Sequence, residues 1–195
     1  MTVRVMLVSP AMNAALRGAR FDGDTPLDRA GERDARAAAP AVPEAGLVLS
    51  GPSERCRGTA AALGLTADLE PALAGWDLGR WSGRRLDEVG AAEPAAVAAW
   101  IDDPAAAPHG GESLRNLLER VGGWLAGAGG GGGSGSVLGV AEPAVVRAAV
   151  VHALALPPVA FWRLDVAPLA LTELSGRSDR WNVRLGRPLT APQTS

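Results

Sequence analysis

The sequence contains no lysine, no tyrosine and a single cysteine, and it has only two histidines. Without lysine, Schiff-base chemistry, pyridoxal-phosphate attachment and a phosphate-binding loop of the P-loop type are excluded. Cys56 alone cannot form an internal disulfide, and one thiol with two histidines cannot supply four thiolate ligands for a structural zinc. The sequence therefore predicts no cofactor and no metal, and its cysteine content is typical of the cytoplasm.

Neither sign of charge predominates, because 19 arginines stand against 21 acidic residues and the net charge is -2. There is no basic block to create the long-range field with which proteins hold nucleic acid. No run of about 18 apolar residues occurs, and no long apolar segment follows basic residues at the N-terminus. We expect a cytoplasmic protein that binds a small molecule or a partner protein, and neither nucleic acid nor a membrane. The composition leaves the oligomeric state open.

The 195 residues, of which 47% are hydrophobic, suffice for one domain of ordinary size. Apolar runs of strand length alternate with longer segments rich in Ala, Leu and Arg, which is the pattern of βαβ units. We therefore predict a single α/β domain over residues 1–195. A mostly parallel sheet should carry helices on both of its faces.

Three predicted strands are each followed closely by a proline. They are Val3 to Val8 before Ser9-Pro10, Gly46 to Ser50 before Gly51-Pro52, and Ser136 to Val140 before Ala141-Glu142-Pro143. Proline in such a place suits the first turn of a helix, where its missing N–H is not needed. Ligands of open α/β sheets bind outside the carboxyl ends of the strands, so we expect the functional site there.

The remaining elements follow from capping residues and apolar periodicity. Asp28 precedes a predicted helix that extends to Ala39, and Ser53 precedes another that ends at about Leu63. Further helices are predicted from Leu86 to Trp100, with a break at Pro94, and from Ser113 to Leu125. Residues 126–136 contain only Gly, Ala and Ser, which predicts a flexible surface loop. Closing strands are predicted at Trp162 to Leu164, Ala170 to Leu174 and Trp181 to Leu185.

Five stretches of the sequence form a distinctive set. They are RFDGDTPL at residues 20–27, SGPSERCRGTA at 50–60, WDLGRWSG at 76–83, GGES at 110–113 and VAEPAVVR at 140–147. Together they resemble the signatures of the histidine phosphatase superfamily, the phosphoglycerate-mutase-like proteins, over nearly the whole chain. The resemblance implies the α/β fold of that family, with its crevice at the strand ends.

The departures from the family pattern fall on its catalytic positions. The resemblance places Pro10 where the family has its phosphoryl-accepting histidine and Ser9 at the neighbouring arginine. It also places Glu142 at the second histidine and Gly75 at the upstream acid, so that of these positions only Arg55 is retained. The amide nitrogen of proline has no free lone pair for phosphorus. The phospho-histidine step would therefore lack its nucleophile.

The charges at these positions also disfavour phosphate. A phosphate dianion would face Glu142 in place of a histidine, with Arg55 as its remaining arginine. At about 4 Å the repulsion is about 4 kcal/mol per unit charge at an effective dielectric of about 20. We therefore expect phosphate to bind poorly in a crevice that has become neutral or acidic.

Two classes of function are consistent with this pattern. In the first, the chain is a non-catalytic binding or regulatory module for a small molecule or a partner protein, and the phosphatase and mutase activities of the family are absent. In the second, it is an enzyme. Either its rebuilt crevice acts on a small molecule through Glu142 and Arg55, or some phosphatase or mutase activity of the family remains. We expect the first.

The candidate catalytic residues are Glu142 and Arg55. Glu142 is a candidate general acid or base or a metal ligand, and its alternative role is to cap a helix and pair with Arg55. Arg55 accordingly binds either a ligand or only Glu142. The candidate binding residues are Arg20, Arg55, Asp77, His109 and Glu142.

Other chemically notable residues have structural alternatives. Ser9 could be a nucleophile, or it could cap a helix before Pro10. Cys56 between two arginines could be an acidic thiol, or it could be buried. His152 is expected on a helix, as a hydrogen-bonded residue of the protein core. The family resemblance implies that Trp76 and Trp81 lie beside the crevice.

Overall fold

The computed structural model describes residues 2–21, 23–130, 135–177 and 180–189. Its sheet has six strands: β1 (Val3–Val8), β2 (Leu47–Ser50), β3 (Asp68–Leu69), β4 (Ser136–Val140), β5 (Ala170–Arg177) and β6 (Arg180–Pro188). They lie in the order β3-β2-β4-β1-β5-β6. Strands β1 to β4 are mutually parallel. Strand β5 is antiparallel to β1, and β6 is antiparallel to β5. The predicted single α/β domain with a mostly parallel sheet is confirmed.

Helices connect these strands. They are α1 (Ala14–Arg17), α2 (Arg29–Ala38), α3 (Glu54–Ala62), α4 (Leu86–Ala92), α5 (Pro94–Asp102), α6 (Leu114–Gly130) and α7 (Pro143–Ala153). Short 3-10 helices lie at Ala39–Ala41, Pro71–Leu73, Gly79–Trp81 and Pro158–Arg163. Within the part of the chain that the structure describes, no helix combines the length and the apolar character needed to cross a bilayer.

The central strand β1 is buried on both of its faces. Val5 and Leu7 point into a core that they share with residues of α6 and α7. Met6 and Val8 point into a second core, shared with residues of α2 and α3. Because successive side chains of a strand point to opposite faces, this one apolar run joins both layers of helices to the sheet.

Capping side chains determine where the helices begin. Asp28 and Ser53 cap α2 and α3 by accepting the amides of Gly31 and Cys56. Pro143 occupies the first turn of α7, as predicted. The same prediction is wrong for Pro10 and Pro52, because Asn13 caps α1 and Ser53 caps α3, so both prolines precede their helices.

Two other predictions fail where the sequence signal is weak. Residues 126–130 continue α6 instead of starting a loop, since Ala128 still packs against the core. Residues 131–134 of the predicted loop lie outside the described residues, and Ser136 belongs to β4. The apolar run from Trp162 to Leu164 does not form a strand, because a 3-10 helix over Pro158–Arg163 buries Phe161 there.

Ser9 joins the end of β1 to the start of β5. Its hydroxyl accepts the amide of Ala170 at 3.1 Å and donates to the carbonyl of Ala167. Its own amide donates to the Ala170 carbonyl at 3.1 Å. These bonds attach the antiparallel pair β5 and β6 to the strand whose carboxyl end borders the crevice.

Replacing Ser9 with alanine should lower the free energy of unfolding by about 1–3 kcal/mol, because the buried amide of Ala170 and the carbonyl of Ala167 lose a partner. Urea denaturation measures this change. The exposed Ser82 is the matched control, and Ser82→Ala should leave stability unchanged. A Ser9→Ala protein as stable as the wild type would show that the hydroxyl is not needed at this junction.

Candidate active site

A crevice of about 680 Å³ lies outside the carboxyl ends of β1, β2 and β4. Its polar lining consists of Asp24, Ser53, Arg55, Glu142 and Arg147. Its apolar lining includes Met12, Leu16, Trp76, Leu78, Leu86 and Val166. This is the position at which the sequence predicted a functional site, and the volume is within the range of small-ligand pockets.

A buried ion pair joins the starts of two helices at this crevice. Arg55 lies in the first turn of α3 and donates from Nη2 to Oε2 of Glu142, the N-cap of α7. The Ser53 hydroxyl donates to Oε1 of Glu142 at 2.9 Å. The side chains of Arg55 and Glu142 are 1% and 11% exposed. The structure therefore brings the two candidate catalytic residues into direct contact.

Burial makes each member of this pair dependent on the other. A charge removed from water is destabilising unless an opposite charge and hydrogen bonds compensate for it. Arg55 and Ser53 both contact the Glu142 carboxylate, which also lies at the positive end of the α7 dipole. The pair is close to neutral as a unit, so it contributes little net charge to the crevice.

Gly75 provides the space that the Glu142 side chain occupies. A Cβ atom added at residue 75 would lie 3.2 Å from Cγ of Glu142, closer than ordinary contact. A larger acidic side chain at this position would also bring a second carboxylate next to the first. The residues at positions 75 and 142 are thus matched to each other in volume and charge.

Pro10 lines the crevice, whereas the neighbouring Ser9 does not. Pro10 is buried and forms part of the crevice wall. Ser9 does not line the crevice, because its hydroxyl is directed at Ala167 and Ala170. The geometry therefore offers no role for Ser9 as a nucleophile, and the alternative that Ser9 caps a helix is also wrong.

Arg147 is a crevice residue that the sequence analysis did not select. It lies on α7 and is half-buried, with its guanidinium carbon 5.7 Å from the centre of the Phe161 ring. Its buried Nε has no hydrogen-bond partner. The Arg147 guanidinium forms no ion pair with any described residue. Burial lowers the pKa of Arg147, and nearby Asp165 partly opposes this. Its place at the end of the VAEPAVVR stretch was the signal that could have identified it.

Three of the predicted binding residues lie outside the crevice, and two of them, Arg20 and Asp77, are on the surface. Arg20 is exposed and donates to the carbonyl of Gly83 at 3.1 Å. Asp77 is also exposed, and its carboxylate accepts the amide of Gly79 at 2.9 Å. Both side chains stabilise turns, and neither is among the residues that line the crevice.

An aromatic cluster supports one wall of the crevice. Its members are Phe21, Trp76, Trp81, Trp100, His109, Phe161 and Trp162. Trp76 lines the crevice and donates from Nε1 to the Glu112 carbonyl at 2.8 Å. Trp81 was expected beside the crevice, but it is fully buried within the cluster.

His109, the remaining predicted binding residue, belongs to this cluster and does not line the crevice. It is 1% exposed, and its Nδ1 accepts the amide of Gly111 at 3.0 Å. Burial is the main cause that lowers the pKa of His109. A neutral imidazole packed against tryptophans stabilises the loop and does not reach a ligand.

The remaining candidates are structural or peripheral. Cys56 is fully buried, and burial followed by the Glu142 charge raises the pKa of its thiol. The thiol is therefore not acidic. His152 lies on α7 but is exposed, which corrects its expected place in the core. In the described part of the chain, no group of three or more His, Cys, Asp or Glu side chains is placed to hold a metal ion.

Comparison with known proteins gives this geometry a context. A family model described as the histidine phosphatase superfamily (branch 1) matches residues 11–187. A glucosyl-3-phosphoglycerate phosphatase of Mycolicibacterium vanbaalenii is 38% identical over 111 residues. That match covers 53% of this chain and 49% of the relative, so it spans about half of the relative's length.

Solved structures resemble the chain over a greater length. A mycobacterial glucosyl-3-phosphoglycerate phosphatase in complex with VO3 has a TM-score of 0.82 at 28% identity, covering 95% of this chain and 98% of that one. A putative alpha-ribazole-5'-P phosphatase from Escherichia coli has a TM-score of 0.85 and covers 98% of this chain and 99% of that one. Its 19% identity shows likeness of fold alone.

These relatives correct the functional expectation. The prediction of a non-catalytic binding or regulatory module is wrong, because the similar proteins are named as phosphatases. The solved phosphatase shares the fold over almost all of its length. The alternative, that some phosphatase or mutase activity of the family remains, fits these relatives better.

Replacing Arg55 with methionine should destabilise the fold by about 3–5 kcal/mol, because Glu142 would be left as a buried charge without its main partner. The double variant Arg55→Met/Glu142→Met should recover most of this loss, as measured by urea denaturation. In the exposed pair of Arg36 with Glu32, Arg36→Met should have no measurable effect. A double variant as unstable as the single one would mean that shape, and not charge, determines the effect.

The lowered pKa of His109 makes stability depend on pH. The unfolded chain takes up a proton at His109 near its usual pKa of about 6.5, whereas the folded chain resists protonation. The contribution of His109 is therefore complete above about pH 6.5, and stability should fall as the pH decreases toward about 5. His109→Gln should flatten this part of the profile, whereas His152→Gln should retain it. Equal slopes in both variants would contradict this assignment.

Proposed function

The chain belongs to the histidine phosphatase superfamily, and from that membership we propose that it is an enzyme that hydrolyses a phosphate ester of a small molecule in the crevice. The observation that carries the proposal is that Arg147 and the paired Arg55 and Glu142 line the same crevice at the strand ends. The phosphatase names of the relatives support the reaction class. Their particular substrate is a starting point for the assay.

The proposed reaction uses no phospho-histidine. Position 10 is a proline, and the two histidines of the sequence are His109 in the aromatic cluster and His152 on the exposed side of α7. Neither lines the crevice. Water is therefore the nucleophile that we propose, and the phosphoryl group passes to it in a single step.

Glu142 is the base that we propose for this water. As water attacks phosphorus, its proton passes to the Glu142 carboxylate, while the bond between phosphorus and the ester oxygen breaks. The same proton then goes to the departing oxygen, so that an alcohol and inorganic phosphate are released and the carboxylate is restored. Arg55 and Ser53 hold this carboxylate in place.

Arg147 supplies the positive charge that this reaction needs. The expectation of weak phosphate binding rested on Arg55 as the one arginine opposing Glu142. In the structure Arg55 compensates the charge of Glu142, and Arg147 is a second arginine in the same crevice. An arginine at about 4 Å from a phosphate oxygen attracts it by about 4 kcal/mol at an effective dielectric of about 20, which offsets the repulsion from Glu142.

Release of inorganic phosphate tests the proposal, with p-nitrophenyl phosphate and glucosyl-3-phosphoglycerate as first substrates. Glu142→Gln should lower kcat about 100-fold or more, because it removes the proton acceptor at nearly constant volume. Arg147→Gln should mainly raise KM. The matched control Glu32→Gln alters an ion pair on the exposed face of α2 and should retain full activity.

Two further outcomes would contradict the proposed mechanism. A phosphoryl group found on the protein by mass spectrometry after a denaturing quench near neutral pH would mean that a protein side chain, and not water, attacks phosphorus. Full activity in a folded Glu142→Gln variant would remove Glu142 as the base. Absence of phosphate release from every ester tested would remove the proposed activity itself.

A further inference from the structure

The lining of the crevice is largely apolar. Met12, Leu16, Leu78 and Val166 line it together with the Arg55–Glu142 pair. Leu86 also lines the crevice although 49% of its surface is exposed. A large apolar side chain exposed at a site mouth is informative, because an apolar ligand can cover it.

One aromatic wall is held rigidly in position. Trp76 packs against Trp100 and Phe161 with ring centres 5.1 and 5.3 Å apart, and its Nε1 is committed to the Glu112 carbonyl. Its polar atom is therefore directed into the protein. A ligand in the crevice can therefore contact only the flat apolar surface of the Trp76 ring.

Most polar groups of the lining already have protein partners. The Ser53 hydroxyl contacts Glu142 and the amide of Cys56, and Oδ1 of Asp24 accepts the amide of Glu54 at 2.7 Å. The hydroxyl groups of a sugar would lose water on entering and would find few partners in exchange. Arg147 differs, since its Nε is buried without a hydrogen-bond partner.

We propose that the substrate is a phosphate ester whose alcohol part is apolar, an alkyl or aromatic group and not a sugar. This rests on the proposed function of the crevice. Arg147 binds the phosphate, and the apolar group lies along Trp76 and the surrounding hydrocarbon side chains. The cavity of about 680 Å³ has room for both parts of such a molecule.

A homologous series of esters tests this assignment. Calorimetric titration with ethyl, butyl and hexyl phosphate should show about fourfold tighter binding for each methylene that enters the crevice. Glucose 6-phosphate and glycerol 3-phosphate carry the same phosphate and should bind at least tenfold more weakly than hexyl phosphate. Equal affinity across the alkyl series, or tighter binding of the sugar phosphate, would overturn the proposal.

Variants connect the selectivity to individual side chains. Leu86→Gln should weaken hexyl phosphate at least threefold and leave ethyl phosphate within twofold. Leu185 on β6, which is 46% exposed and does not line the crevice, provides the matched control Leu185→Gln, which should change neither. Arg147→Gln should weaken every ester by a similar factor. If Leu86→Gln weakened the ethyl and hexyl esters equally, the apolar chain would not lie where we place it.

Binding and turnover distinguish this proposal from the function on which it rests. Alkyl phosphates that bind in the expected order but release no phosphate would contradict the hydrolase and leave the apolar selectivity supported. Hydrolysis of sugar phosphates with a higher kcat/KM than alkyl phosphates would support the proposed hydrolase activity and contradict the apolar substrate class.

Discussion

The buried contact between Arg55 and Glu142 is the interaction on which the rest of the site depends. It joins the start of α3 to the start of α7 and so fixes the carboxyl ends of β2 and β4 relative to each other. Ser53 caps α3 and also holds the Glu142 carboxylate, and Gly75 leaves the space that this side chain requires. Changing any one of these groups would leave a charge without compensation or a contact that is too close.

The pair also determines the electrostatic character of the crevice. Because the two charges compensate each other, Arg147 is the arginine there that has no carboxylate partner among the described residues. In the proposed function, Arg147 on α7 binds the anion, and the strand end after β1, where Pro10 and Ser9 stand, does not. A family scaffold can in this way keep its crevice while changing which side chains perform the chemistry.

Missing catalytic residues led the sequence analysis to the wrong class of function. Weak phosphate binding was expected from the charges at the catalytic positions alone, and Arg147, at the end of the VAEPAVVR stretch, is not one of those positions. Arg147 lines the crevice from α7, which begins directly after β4 and packs against α6 in the core. No spacing rule predicts this placement. Conversely, Arg20 and Asp77 lie in stretches that resemble the family and His109 directly precedes one, but their side chains are engaged in turns or in the aromatic cluster.

Local pattern was sufficient for the strands that build the site. The apolar runs ending at Val8, Ser50 and Val140 are long enough to be buried and are followed by helices, so their parallel arrangement and the place of the crevice could be predicted. The run from Trp162 to Leu164 and the glycine-rich residues 126–130 carry too little local preference, and packing of Phe161 and Ala128 decided their structure. Only the tertiary structure could pair Arg55 with Glu142, bring Arg147 to them and withdraw His109. Contacts between residues so distant in sequence depend on how helices pack on the sheet, and burial then determines which charges must compensate each other.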